Sequence, residues 1–172
     1  MGQPGQGRSR SPRALVTVAL AVASAAYTAW LFGQAKGRVL WMQRGLWKHL
    51  IIQAGLAGFA FLAISGWALD QDWPARVGLA IFLVFQLLTE PDSGAPAGRE
   101  EEFRRAARLI TDGPYAKVHK VLGVWIGILL PLVLLFASGS ALAVAAAGAL
   151  ALVGLWFEED VFVRAGQALP IS

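Results

Sequence analysis

Runs of apolar residues, each close to the thickness of a lipid bilayer, alternate along this chain with short segments that hold nearly all of its charge. A helix needs about 20 apolar residues to cross the hydrocarbon core, and such runs occupy most of the 172 positions. Charged residues make up 15% of the chain, against roughly a quarter in soluble domains, and the mean hydropathy is +0.56. These features predict an all-α integral membrane bundle of one domain.

Residues 1–13, rich in Gly, Pro, Ser and Arg, read as a disordered lead-in. Membrane spans are expected at 14–32, 47–69, 73–90, 121–138 and 140–157, making five, or four if the third is re-entrant. The front of the first run imitates a secretory signal, with Ala23-Ser24-Ala25 as its cleavage-like site, yet apolar character continues through Trp30 and Phe32. In the third run Arg76 is expected to snorkel to the interface. Between the third and fourth runs, Phe103, Ala106, Ala107 and Ile110 recur at helical spacing behind Glu100, Glu101 and Glu102. That pattern predicts an amphipathic helix over 99–110, lying on the membrane surface or under a partner.

Of the fifteen Lys and Arg, three precede the first span, four lie in 33–48, one in 70–76, six in 89–120 and one in the tail. With the N-terminus outside, eleven are inside and four outside, so the positive-inside rule favours N-out and C-in in a bacterial or archaeal cytoplasmic membrane. No basic run suited to nucleic acid occurs. Cysteine is absent, so any iron–sulfur cluster belongs to a partner.

Small residues mark expected helix contacts: Gly123 with Gly127, and a ridge of Ala141, Ala145 and Ala149. Pro131 is expected to kink its span, and Trp41, Trp47, Trp67 and Trp73 to anchor helix ends. Polar side chains inside a bilayer are functional candidates by default. His49 and His119, the two histidines, fall at similar depth, where neutral imidazoles could ligate one haem b or be solvated at the interface. Tyr27 and Gln53 are candidate hydrogen-bond donors to a quinone carbonyl. No phosphate loop, metal cluster or nucleophile motif of a soluble enzyme occurs.

The stretches "AAYTAWLFGQAKGRVLW" (25–41), "GPYAKVHKVLGVWIGILLPLVLL" (113–135) and "VRAGQALPIS" (163–172) resemble the later part of the NrfD-like membrane subunits of polysulfide reductase and related molybdoenzymes. The resemblance implies a membrane anchor, noncatalytic alone, that joins an iron–sulfur electron-transfer subunit and a molybdopterin subunit to the quinone pool, without haem. Such subunits have about eight spans or more and build their quinone pocket largely from earlier helices. The resemblance therefore implies a pocket incomplete in this chain, a second membrane chain as a further partner, and Tyr27 as the residue carried over. Alternatives from other classes are a haem b subunit using His49 and His119, and a small transporter or structural membrane protein. Arg164 is expected to pair with Glu158, Glu159 or Asp160 where the last helix leaves the membrane.

Overall fold

A computed structural model describes residues 12–69, 73–89 and 94–168; the expected disordered lead-in lies almost wholly outside them. The described chain is helical: α1 (Pro12–Gly33), a 3-10 turn (Val39–Met42), α2 (Leu46–Leu69), α3 (Trp73–Leu88), α4 (Glu100–Thr111), α5 (Ala116–Val118), a π-helical stretch (His119–Leu129), α6 (Leu130–Ala137) and α7 (Ala141–Ala168). The pieces from α5 to α6 form one rod, Ala116–Ala137. Four helices are long and apolar enough to cross a membrane: α1, α2, this rod and α7. The protein is a multi-pass membrane bundle.

The fifth apolar helix, α3, has 16 residues, about 24 Å at 1.5 Å per residue. It runs back antiparallel along α2. Phe82 occupies the space beside Gly55, and Phe59 the space beside Gly78, with the two rings stacked 5.5 Å apart. The third run is thus helical and packed along α2, and at this length it falls short of the four helices that are long enough to cross. Arg76 does not snorkel free: its guanidinium donates to the Leu135 carbonyl near the C-terminus of α6, where helix carbonyls lack partners.

The bundle core is Leu56, Ala60, Ala63, Leu79, Leu83, Ile128, Leu135, Val144, Ala147 and Ala151. Lipid offers apolar side chains as good an environment as each other, so close backbone approach holds such helices together. At Gly148 an added Cβ would lie 2.7 Å from the Ala60 carbonyl, and at Gly154 it would run into the Gly127 Cα. Gly123 and Gly127 therefore form the expected contact face, packed on Glu158 and Gly154 of α7. The expected alanine ridge is corrected: Ala149 is exposed, and α7 instead buries Val144, Ala147, Gly148, Ala151 and Gly154. The neighbouring face won because it alone carries the two glycines that let α2 and the rod approach.

The π-helical stretch spans eleven residues, far beyond the usual single-turn bulge. It ends just before Pro131, which is buried and has no N–H to offer either register.

At the end of the bundle where α1 finishes and α2 begins, the chain builds a cap. Val39 and Leu40 of the 3-10 turn, Phe103, Ala106 and Ile110 of α4, and Val161 and Ala165 of α7 form a second buried cluster. The apolar face of α4 is thus covered by its own chain. Glu100 sits at its first turn, where the N–H groups of Glu100 itself and Gly98 hold its carboxyl below the ordinary value. Arg38 ties the cap to the end of α7 by donating to the Gln167 carbonyl at 2.9 Å. Gly94 turns the chain back with φ +124, its Cα facing the Arg44 and Gly45 backbone, and its carbonyl accepts from Arg44 N at 2.7 Å.

The last helix does not stop at 157. At 28 residues α7 is about 42 Å long, and its final turns leave the hydrocarbon to carry the cap. The segment "FEEDVFVRAGQA" is therefore helix, and its three carboxylates face different ways. Asp160 pairs with Arg164 at 2.9 Å on the exposed side. Such a pair contributes little in water, so Arg164→Glu is expected to leave the thermal transition of the purified protein in place. A pronounced loss would mean that this rim is buried in an assembly.

Candidate functional site

Of the two other carboxylates, Glu158 turns toward the bundle and Glu159, half-exposed, reaches the side of α2. Glu158 Oε2 accepts a hydrogen bond from Gln86 Nε2 at 2.7 Å. The neighbouring Glu159 Oε1 accepts from Gln53 Nε2 and lies 3.8 Å from His49 Nε2. Both glutamines are buried, Gln53 at 6% and Gln86 at 5% exposure. Helical geometry explains the grouping: Gly154 and Glu158, four apart, share the face that meets the rod, and Glu158 lies over Gly123 because no side chain stands there.

Beside this network lies a cavity of about 190 Å³. Gln43, His49, Gln86, Thr89, His119 and Glu158 supply its polar wall, while Leu40, Val124, Ile128 and Phe162 are among its apolar walls. Six elements contribute: the first turn of α2, the last turns of α3, the π-helical stretch, α7, the 3-10 turn and Ile110 of α4. The site is apolar with a few convergent polar groups, which is the composition of a small-molecule pocket. Gln86 Oε1 is buried without a partner. A lone buried acceptor costs about 1–3 kcal/mol.

Both histidines reach this one cavity, as their similar depth in the sequence predicts. An apolar cavity of about 150 Å³ admits benzene, so this one, at about 190 Å³, has room for a single aromatic ring. His49 is also turned toward Glu159, with its ring 6.0 Å from that of Phe162. Among the described residues no cluster of His, Asp and Glu could hold a metal ion.

Tyr27 does not line the cavity. It is 58% exposed on α1 and stacks on Trp30 at 5.8 Å. Gln53 does not line the cavity either; it holds Glu159, which lies beside His49 of the wall. Trp47 and Trp73 are exposed at helix ends, as anchors are, whereas Trp41 packs edge-on against Phe32 and over Gly166 inside the cap. The side chain of Trp67 lies outside the described part. Sequence reasoning missed Gln86 as a site residue. The signal was present: it is the one amide within "AIFLVFQLL", the same kind of intrusion that singled out Gln53.

No family model matches the chain, and neither a curated protein nor a solved structure matches it.

Proposed function

We propose that this chain is a membrane anchor subunit of a quinone-linked oxidoreductase, and that its own contribution is the ring-sized cavity under the cap. The observation that carries the reading is the meeting of His49, Gln86, His119 and Glu158 in one apolar-walled cavity at the rim of the bundle. Quinones dissolve in the bilayer, and a site for their ring needs apolar walls with a few hydrogen-bonding groups near water. Gln86 and Glu158 would hold the ring oxygens, with the histidines within the same wall. Bound there, a quinone supplies two-electron, two-proton chemistry; the chain supplies binding, orientation and groups able to hold protons.

The resemblance of 25–41, 113–135 and 163–172 to NrfD-like subunits supports the same reading. With the N-terminus outside, the capped end faces the cytoplasm. The cap presents exposed Arg104, Arg105 and Arg108 along α4, with Arg105 paired to Glu101 at 3.3 Å, a charged surface available to a partner. The partners on this reading are an iron–sulfur protein, a molybdopterin subunit and a second membrane chain that supplies further helices.

Gentle detergent extraction of the tagged chain from its host, followed by mass spectrometry, is expected to recover a cysteine-rich iron–sulfur protein and a molybdopterin subunit. Recovery of the folded chain alone would remove the anchor reading.

A further inference from the structure

We propose that the groove between the start of α2 and the end of α3 binds one anionic phospholipid, with its phosphate between Arg44 and Lys48 and an acyl chain over Ile52 and Leu88. The groove is a hollow of about 520 Å³ lined by these four residues with Gly45, Thr89 and Gly94, and it shares only Gly45 and Thr89 with the cavity under the cap. It is therefore a separate site, and it does not depend on what the cavity binds. Its two sides differ in chemistry. Arg44 and Lys48 are exposed at the rim of the bundle. Ile52 stands one turn deeper along α2 than Lys48, and Leu88, at the end of α3, is left 70% exposed. A hollow that is cationic toward water and apolar toward lipid matches an anionic headgroup above its own chain.

The chain holds both cations there without an anion of its own. Arg44 N donates to the Gly94 carbonyl at 2.7 Å, which pins that residue beside the groove. Lys48 stands on the first turn of α2, where no acidic residue occurs, with its ammonium 5.6 Å from the centre of the Trp47 ring. A cation at a helix N-terminus meets the positive end of the helix dipole, so charge and dipole add here rather than cancel. Among the described residues, which leave out 90–93, no carboxylate forms an ion pair with either cation. Glu100 is near enough for Arg44 to favour its charged form, but its carboxylate is bonded to the Gly98 N–H at 3.0 Å. The Thr89 hydroxyl is turned to the Phe85 carbonyl at 2.8 Å, so the two cations carry the headgroup. A phosphate diester supplies the missing negative charge and accepts hydrogen bonds from both.

The test is native mass spectrometry of the full chain, released from mixed micelles that hold equal amounts of phosphatidylglycerol and phosphatidylcholine. The two lipids share the phosphate diester and the chains and differ in net charge. Phosphatidylglycerol is expected to stay bound with a preference of about thirtyfold, since each cation near the surface contributes about fivefold. Arg44→Gln combined with Lys48→Gln is expected to bring the two lipids within about twofold of parity. Arg104→Gln combined with Arg108→Gln removes the same charge elsewhere on the cap and is expected to leave the preference in place. Equal retention of the two lipids by the unaltered chain overturns the site. An equal loss in both double variants also overturns it, in favour of a diffuse attraction of the whole basic rim. Release of the lipid by inorganic phosphate, at an ionic strength matched with chloride, overturns the lipid assignment in favour of a free phosphate. All four substituted cations are exposed, so the buried cores stay untouched, and the lipid comparison on the unaltered chain stands by itself.

Discussion

Phe103→Ala is expected to release α4 from the capped end while the membrane bundle stays folded. Phe103 is 0% exposed and sits among Val39, Leu40, Ala106, Ile110, Val161 and Ala165. Truncating a buried Phe costs about 3–5 kcal/mol, through lost transfer energy and the cavity left behind. That cluster shares no residue with the main core around Leu56, Leu79 and Val144, and α7 runs through both. The loss should therefore appear locally. Trypsin cleavage after Arg104, Arg105 and Arg108 is expected to quicken by roughly two orders of magnitude when opening is fast relative to cleavage. Hydrogen exchange in α2 and the first turns of α7 should stay slow. Because Leu40 and Ile110 also line the cavity, ring binding should weaken in the same variant. A single transition in which bundle and cap melt together would show that the cap is part of one cooperative unit.

Gly154→Ala is expected to loosen α7 from the rod, and it adds only a methyl group. The new Cβ would collide with the Gly127 Cα, and in the reverse substitution the Cβ at 127 would stand 2.5 Å from the Gly154 Cα. Backbone cannot rotate away as a flexible side chain can. Overpacking of this kind costs about 1–3 kcal/mol, and Gly154→Val should cost more. Gly58 is the matched control, being helical with nothing within 4 Å of an added Cβ; Gly58→Ala should stabilise α2 by about 0.5–1 kcal/mol. Thermal melts in mild detergent, followed by circular dichroism, check the pair. A Gly154→Ala variant that melts like the unaltered chain would show that the two glycines do not meet. Glu158 lies one turn beyond Gly154, so a displaced α7 should also separate Glu158 from Gln86 and reduce ring binding.

Much of the fold was legible because a bilayer imposes a simple rule on sequence: backbone must be satisfied within the segment, and length must match thickness. The starts of α2 and α3 agree within a residue with the expected 47 and 73, and α4 occupies Glu100–Thr111 against the expected 99–110. The same rule misled at two places. The rod starts at Ala116 rather than 121, and α7 continues to Ala168 rather than stopping near 157. In both, helix continues into the polar rim, where hydropathy says nothing about where a helix ends. The candidate site was half legible. His49, His119 and Gln53 stood out as polar groups in apolar runs. Glu158 read as part of a rim because nothing in a linear pattern tells a carboxylate turned inward from one facing water.

What the sequence determined by itself was the class of the protein, its membrane-crossing helices, the amphipathic character of α4 and the scarcity of polar groups that any site would have to use. Only the tertiary structure decided which of those polar groups share one place. Gly123 leaves room for Glu158, Gly127 and Gly154 set how closely the rod and α7 approach, and Gln86 arrives from a third helix to meet them. Composition and periodicity assign a residue to a helix and a face, but the meeting of faces depends on crossing geometry. In lipid, where apolar surfaces gain little by choosing one another, close contact between backbones sets that geometry.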